Sequence, residues 1–326
     1  MNKVLVLDRE TVEVSVIMAT YNPSWEKCVF TLDSVIGQKD IDLELIIVDD
    51  GSSDNLFSAY EIYFSNIGFS RFKLIDHKEN QGTVKNYTDG LKVAEGKYIK
   101  LISPGDALFN DNSLSDWLSA LKASGRMWSF ADAIYYSVAD DKPRIMKSTA
   151  VPRVIDCYLD HDSQKCRWNY TVLEDIPLGA AILCERDVFG SYLDQITGHV
   201  IYSEDLSYVL MMFDGIEPFY YDVPCIFYEF GCGVSTVNDK MWRDRFHNDL
   251  ISVETIIANR ACCDELQTKI QKALVAINSG NNAKKRLVKN TQKGGIEKVI
   301  KYRLNPRMSG TDISLCGKWW NEYAAD

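Results

Sequence analysis

Between residues 14 and 106, short apolar runs alternate with stretches of helical spacing, and most of the runs stop abruptly in polar or glycine-containing loops. Val14–Met18, Leu43–Val48, Phe72–Ile75 and Lys97–Ile102 read as buried strands. Between them, Trp25 to Gln38 places Val29, Leu32, Val35 and Ile36 on one helical face; Tyr60 to Ile67 and Val84 to Ala94 also read as helices. Strands alternating with helices predict an α/β fold with a doubly wound, mostly parallel sheet. Such sheets bind ligands outside the carboxyl ends of their strands. Three strands end in Ala19-Thr20-Tyr21-Asn22, Asp49 to Asp54, and Ser103-Pro104-Gly105-Asp106, so candidate chemistry is concentrated at that rim.

Composition narrows the class. A hydrophobic content of 46% suffices for a real core, and a formal net charge of -10 argues against a general nucleic-acid binder. No stretch approaches the roughly 18 consecutive apolar residues of a membrane-spanning helix. Asp8, Glu10 and Glu13 interrupt the N-terminus, which lacks the basic-then-apolar layout of a secretion signal. The 9 cysteines show no zinc spacing and are expected to be reduced and mostly buried. The 4 histidines are too scattered to suggest a catalytic triad. The expected compartment is the cytoplasm.

The remainder is less regular. Residues 111–238 contain Arg167-Trp168-Asn169-Tyr170, the turn Pro177-Leu178-Gly179 and the segment Tyr202-Ser203-Glu204-Asp205. Met241 to about Ile277 looks helical. Residues 284–307 are rich in Lys and Arg against one acid, Glu297, and Trp319, Trp320 and Tyr323 follow. Basic residues with interfacial aromatics suggest peripheral contact with an anionic membrane at the inner face of the plasma membrane. The alternative is a solvated basic face with the aromatics packed on the core.

Each rim acid has a chemical use and an ordinary one. Asp49-Asp50-Gly51 could accept a hydrogen bond from a uracil-like imide, or simply form a turn and cap a helix. Asp106 is placed to hold a divalent cation on a diphosphate, or closes a Pro-Gly turn. Glu204-Asp205 could provide a base that activates a sugar hydroxyl, or be surface acids.

Order and spacing join these signals. The runs VSVIMATYN (14–22), IIVDDGSSD (46–54), NQGTVKN (80–86), AEGKYI (94–99) and SPGD (103–106), followed by Glu204-Asp205, resemble family 2 glycosyltransferases of the GT-A fold over residues 12–236. The resemblance implies an inverting transfer from a nucleotide-sugar donor, with UDP expected, to a glycan or lipid-linked acceptor in surface polysaccharide synthesis. Ala19 and Tyr21 would line the base and ribose pocket, Asp50 would bind the ring, and Lys85 would reach base or diphosphate. Asp106 would hold Mn2+ or Mg2+. Asp49, Ser103 and Gly105 are assigned to the donor site with them. Asp205 would be the base and Glu204 its helper, with Gly179 and Trp168 on the acceptor side. The resemblance divides the chain into a donor-binding half (1–110), an acceptor-binding half (111–238) and a helical, basic extension (239–326). Ser103 and Gly105 stand where the family's metal motif usually carries acids. The competing readings are a non-catalytic sugar-nucleotide-binding module and a nucleotidyltransferase, though the latter's Gly-rich, basic phosphate loop is missing from residues 19–25.

Overall fold

The fold is that of a computed structural model describing residues 11–140, 142–146, 152–231, 239–279 and 312–325. The N-terminal strands and helices follow the expected alternation: β1 (Val14–Thr20), α1 (Trp25–Ile36), β2 (Leu43–Asp49), α2 (Phe57–Ile67), β3 (Phe72–Asp76), α3 (Thr83–Val93) and β4 (Tyr98–Ile102). These strands are parallel in the order β3-β2-β1-β4. The chain therefore winds one way from β1 to β2 and β3, and the other way to β4. That reversal leaves a crevice at the carboxyl ends of β1 and β4. Helix α2 begins ahead of the apolar pattern, because Leu56 turns at φ 55 and the Asn55 side chain accepts the Phe57 N–H at 3.1 Å.

The second half continues the same sheet. It contains β5 (Ala107–Leu108), α4 (Ser113–Ser124), β6 (Trp128–Ala139), β7 (Lys142–Ile145), α5 (Asp156–Leu159), α6 (Ser163–Val172), β8 (Ile182–Glu185), α7 (Arg186–Ile196), α8 (Ser207–Phe213) and β9 (Phe219–Glu229). Strand β8 runs antiparallel to β4, pairing Lys100 with Leu183, so the 3-10 turn Gly179–Ala181 lies beside the carboxyl end of β4. Strand β9 pairs parallel with β6 and antiparallel with β5, bringing Tyr228 and Glu229 beside residues 106–107. The sheet is thus parallel through β4 and mixed beyond it. The antiparallel strands were hidden because their apolar runs look the same in either direction.

The helical pattern after residue 240 is two helices, α9 (Lys240–Ala258) and α10 (Glu265–Asn278), separated where Asp264 starts a capping box with Gln267. The basic segment 284–307 lies outside the described residues. Helix α11 (Lys318–Tyr323) corrects the interfacial reading of its aromatics. Trp319 and Trp320 are buried; Trp320 stacks on Phe227 at 4.1 Å, Tyr323 on Phe30 at 4.2 Å, and the Trp319 indole N–H donates to the Leu108 carbonyl at 2.8 Å. Their amphipathic rings face the protein's own core. Among the described residues no helix is long and apolar enough to cross a membrane, and the 8 described cysteines are unpaired.

Candidate active site

The crevice between β1 and β4 opens into a cleft of about 630 Å³. Its near end is built by the β1 and β2 loops, which are stitched together. The Asn22 N–H donates to Ser52 Oγ at 2.7 Å, and Asn22 Oδ1 accepts the Ser53 N–H at 3.0 Å. Ala19 and Tyr21 line this end, with Tyr21 55% exposed and available for stacking. Asp50 also lines it, although its carboxylate is fixed from behind: Oδ1 accepts the Gln81 N–H at 2.7 Å and Oδ2 the Gly82 N–H at 2.9 Å. Gly82 turns at φ +90, and a Cβ there would stand 2.5 Å from the Ile201 carbonyl oxygen. Only glycine fits between Asp50 and that carbonyl.

Three residues assigned to the donor site do not reach the cleft. Asp49 is fully buried and accepts from Thr20 Oγ1 at 2.9 Å and from the Ser52 N–H and Oγ, each at 2.7 Å. It shapes the loop from inside. Lys85 turns away and pairs with Asp89. Asp89 meets His77 Nε2 at 3.0 Å, and His77 Nδ1 lies 3.5 Å from Asp50, so that chain connects Lys85 to the site. Gly105, at φ +98, acts by lacking a side chain, since a Cβ would come within 2.6 Å of Glu229 Oε2.

The middle of the cleft is lined by Ser103, Asp106, Lys27 and Glu229. Thr31 on α1 anchors the β4 loop, donating to the Asp106 carbonyl at 2.7 Å and accepting the Gly105 N–H at 3.0 Å. Burial pushes the Asp106 carboxyl up to about 7, against the opposing pull of the Lys100 ammonium. Lys100 is itself buried beneath the cleft, where it donates to the Leu101 carbonyl at 2.6 Å and to the Ala180 carbonyl. Lys27 bridges both Glu229 oxygens, at 2.8 and 2.7 Å.

At the far end, Glu204 and Asp205 form a 3-10 turn leading into buried helix α8. They face Gly179, whose added Cβ would lie 3.4 Å from Asp205 Cβ, 3.7 Å from Asp205 Oδ2 and 3.8 Å from Glu204 Oε1. The bare glycine keeps open the space in front of the carboxylates. Burial raises both carboxyls above the usual range; the Asp205 charge adds to this for Glu204, and the Asp249 charge for both. Trp168 does not join this end. It packs on α6 against the main core, away from the cleft, which corrects its assignment to the acceptor. Tyr202, from the segment noted in the sequence, lines the wall together with two residues unremarked there, Trp242 and Phe246 of α9. Asp249, polar on the buried face of an otherwise amphipathic helix, was the available signal for α9.

The described lining contains five carboxylates (Asp50, Asp106, Glu204, Asp205 and Glu229) against one ammonium, Lys27. No three metal-ligating side chains converge among the described residues. The excess acid and the raised Asp106 carboxyl nevertheless fit a hard divalent cation completed by substrate oxygens.

A sheet that reverses its winding beside an acid-lined cleft, with an antiparallel continuation carrying a glycine floor, defines the GT-A class of glycosyltransferases. Residues 15–184, just over half of the sequence, match Glycosyl transferase family 2, and the chain belongs to that family. Among its curated relatives, poly(ribitol-phosphate) beta-N-acetylglucosaminyltransferase TarP of Staphylococcus aureus is 36% identical over 32% of this chain and 31% of its own length. Poly-beta-1,6-N-acetyl-D-glucosamine synthase of Staphylococcus epidermidis is 28% identical over 47% of this chain and 32% of its own. The matches span about a third of those relatives. In structure, S. aureus TarS 1-349 in complex with UDP-GlcNAc aligns with a TM-score of 0.56 at 16% identity, covering 89% of this chain and 79% of that one. The mannosyltransferase PcManGT from Pyrobaculum calidifontis, in complex with GDP-Man and Mn2+, aligns at 0.54 and 14% identity over 90% and 86%. These structural likenesses concern the fold.

Proposed function

We propose that the protein transfers a sugar from a UDP-sugar to a hydroxyl of a glycan or lipid-linked saccharide in surface polysaccharide assembly, inverting the anomeric centre. The observation that carries this reading is the continuity of one cleft from Tyr21 and Asp50 to the Glu204-Asp205 pair opposite Gly179. Asp50 and Tyr21 hold the uracil and ribose. The acceptor hydroxyl enters the space that Gly179 leaves open. Asp205 takes its proton as the oxygen attacks the anomeric carbon; the new C–O bond forms while the bond to the diphosphate breaks, and UDP departs with the electron pair. Glu204 orients the acceptor or Asp205. Asp106 would hold Mn2+ or Mg2+, which would supply charge neutralisation for the diphosphate. No protein nucleophile is needed.

Both named relatives carry N-acetylglucosamine in their names and TarS was solved with UDP-GlcNAc, so that donor is the first to test. UDP-GlcNAc, UDP-glucose and GDP-mannose should be compared by thermal stabilisation and by nucleotide release with Mn2+. Stabilisation and turnover with a UDP-sugar, lost in Asp205→Asn for turnover alone, is the expected result. A protein that neither binds nor cleaves any UDP-sugar overturns the proposal, and binding without turnover would leave a sugar-nucleotide-binding module.

A further inference from the structure

We propose that Asn86 reads the base of the donor nucleotide, giving a uracil carbonyl the hydrogen bond that Asp50 cannot give. This inference rests on the UDP-sugar reading above. Uracil presents ring carbonyls beside an imide N–H, so a pocket that holds it needs a donor as well as an acceptor. Asp50 supplies only acceptors, and its oxygens already take the backbone N–H groups of Gln81 and Gly82. Lys85, the cation named from the sequence for the base, pairs with Asp89 and does not line the cleft. An amide carries a donor and an acceptor in one plane. Asn86 lines the cleft and is only 3% exposed, and its Oδ1 has no hydrogen-bond partner among the described residues.

The fold places this amide at the nucleoside end. Asn86 lies near the start of α3, its backbone N–H donating to the Gly82 carbonyl at 3.2 Å. Gly82 is also the residue whose N–H binds Asp50 Oδ2. Gly90, four positions on and so on the same helical face, presses against β1 and β2: a Cβ there would lie 2.7 Å from Ile17 Cγ2 and 3.3 Å from Val48 Cγ2. Asn86 therefore shares the face that α3 turns to the two strands whose carboxyl ends carry Ala19, Tyr21 and Asp50. Tyr87, the next residue, reaches a different strand, its hydroxyl lying 3.4 Å from the Ile102 carbonyl at the end of β4. Stability does not explain Asn86. Asn is a poor helix former, and a buried amide oxygen without a partner is destabilising. A local cost of this kind points to use by a ligand. The planar amide can turn end for end and bring either its oxygen or its NH2 to that ligand.

The test is calorimetry on the full chain with UDP, uridine and 2′-deoxyuridine, together with thermal melts of the ligand-free protein. Asn86→Leu, close in volume, should weaken all three ligands by the same factor of about tenfold, the scale of one hydrogen bond lost from a pocket. Asn86→Asp keeps the shape and the acceptors but loses the donor, so it should weaken them at least as much. Ligand-free Asn86→Leu should melt no lower than the wild type, because the amide it removes has no partner to lose. If folded Asn86→Leu binds uridine as the wild type does, or loses affinity for UDP alone, the amide does not read the base. A loss seen with uridine and absent with 2′-deoxyuridine would place Asn86 on the ribose and overturn the inference. A lower melting temperature in the ligand-free variant would also overturn it, since the fold itself would then satisfy the amide. Wild-type protein that binds neither UDP nor uridine would instead overturn the donor assignment.

Discussion

Asp249 accepts the backbone N–H of Tyr202 at 2.9 Å, and its other oxygen accepts that of Ile201 at 3.1 Å. Helix α9 thus holds the chain just before Glu204 and Asp205, and the Asp249 charge helps to raise both carboxyls. Asp249→Asn keeps the shape, removes the charge and sets an amide N–H against one backbone donor. Transfer should fall while UDP affinity holds. The acid limb of the pH–rate profile should move to lower pH, because a base relieved of a neighbouring negative charge gives up its proton more readily. A lower rate with an unmoved acid limb would leave Asp249 as a purely structural clamp.

Asp50 is held by two backbone N–H groups while it lines the cleft. Asp50→Asn should therefore act twice. UDP binding should weaken by about 1.5–3 kcal/mol, and stability should drop by about 1–3 kcal/mol as one buried N–H loses its acceptor. Calorimetry with UDP and thermal melts separate the two. Unchanged UDP affinity in the folded variant would remove Asp50 from the donor site.

The parallel part of the sheet, through β4 and its loop, was legible because each feature is local. An apolar run followed by Asp50-Gly51 or Pro104-Gly105-Asp106 tells where a parallel strand stops and which side chains reach its rim. The rest of the cleft is assembled from distant segments. Glu229 meets Lys27 across 202 positions of sequence, and Lys100 reaches Ala180 across 80. Nothing periodic announces such contacts. Lys85 shows the converse: a motif fixes where a residue lies on α3, and a neighbouring Asp89 four positions on decides where its ammonium points. Trp319-Trp320 reads alike as an interfacial anchor and as a core plug until a partner surface, here Phe227 and Leu108, is known.

That packing gives a stability prediction. Trp320 is stacked face to face on Phe227 and touches the edge of Tyr136. Trp320→Ala should cost about 3–5 kcal/mol, as for other large-to-small changes at buried aromatics. Co-sedimentation with anionic vesicles, if the intact protein shows any, should be unaffected by Trp320→Phe, which preserves most of the packing. A variant Trp320→Ala with an unchanged melting temperature would show that α11 does not dock.

The sharpest prediction concerns Asp205. Burial is the main cause of its raised carboxyl, and the Asp249 charge adds to it. A carboxylate with a raised value is a stronger base, but it works only when ionised. Transfer should thus be full at alkaline pH and fall as pH drops through the raised value of the pair. Asp205→Asn keeps the volume opposite Gly179 and cannot take a proton, so transfer should drop by at least about 10²-fold. UDP affinity should stay within about twofold of wild type, because the nucleotide is assigned to Tyr21, Asp50 and Asp106 and not to Asp205. Glu204→Gln should cost less if Glu204 only orients. Rate, UDP affinity and melting temperature measured on both variants decide the matter. If well-folded Asp205→Asn transfers sugar at near-normal rate, Asp205 is not the base, and Glu204, on the same turn and with its own raised carboxyl, becomes the group to replace next.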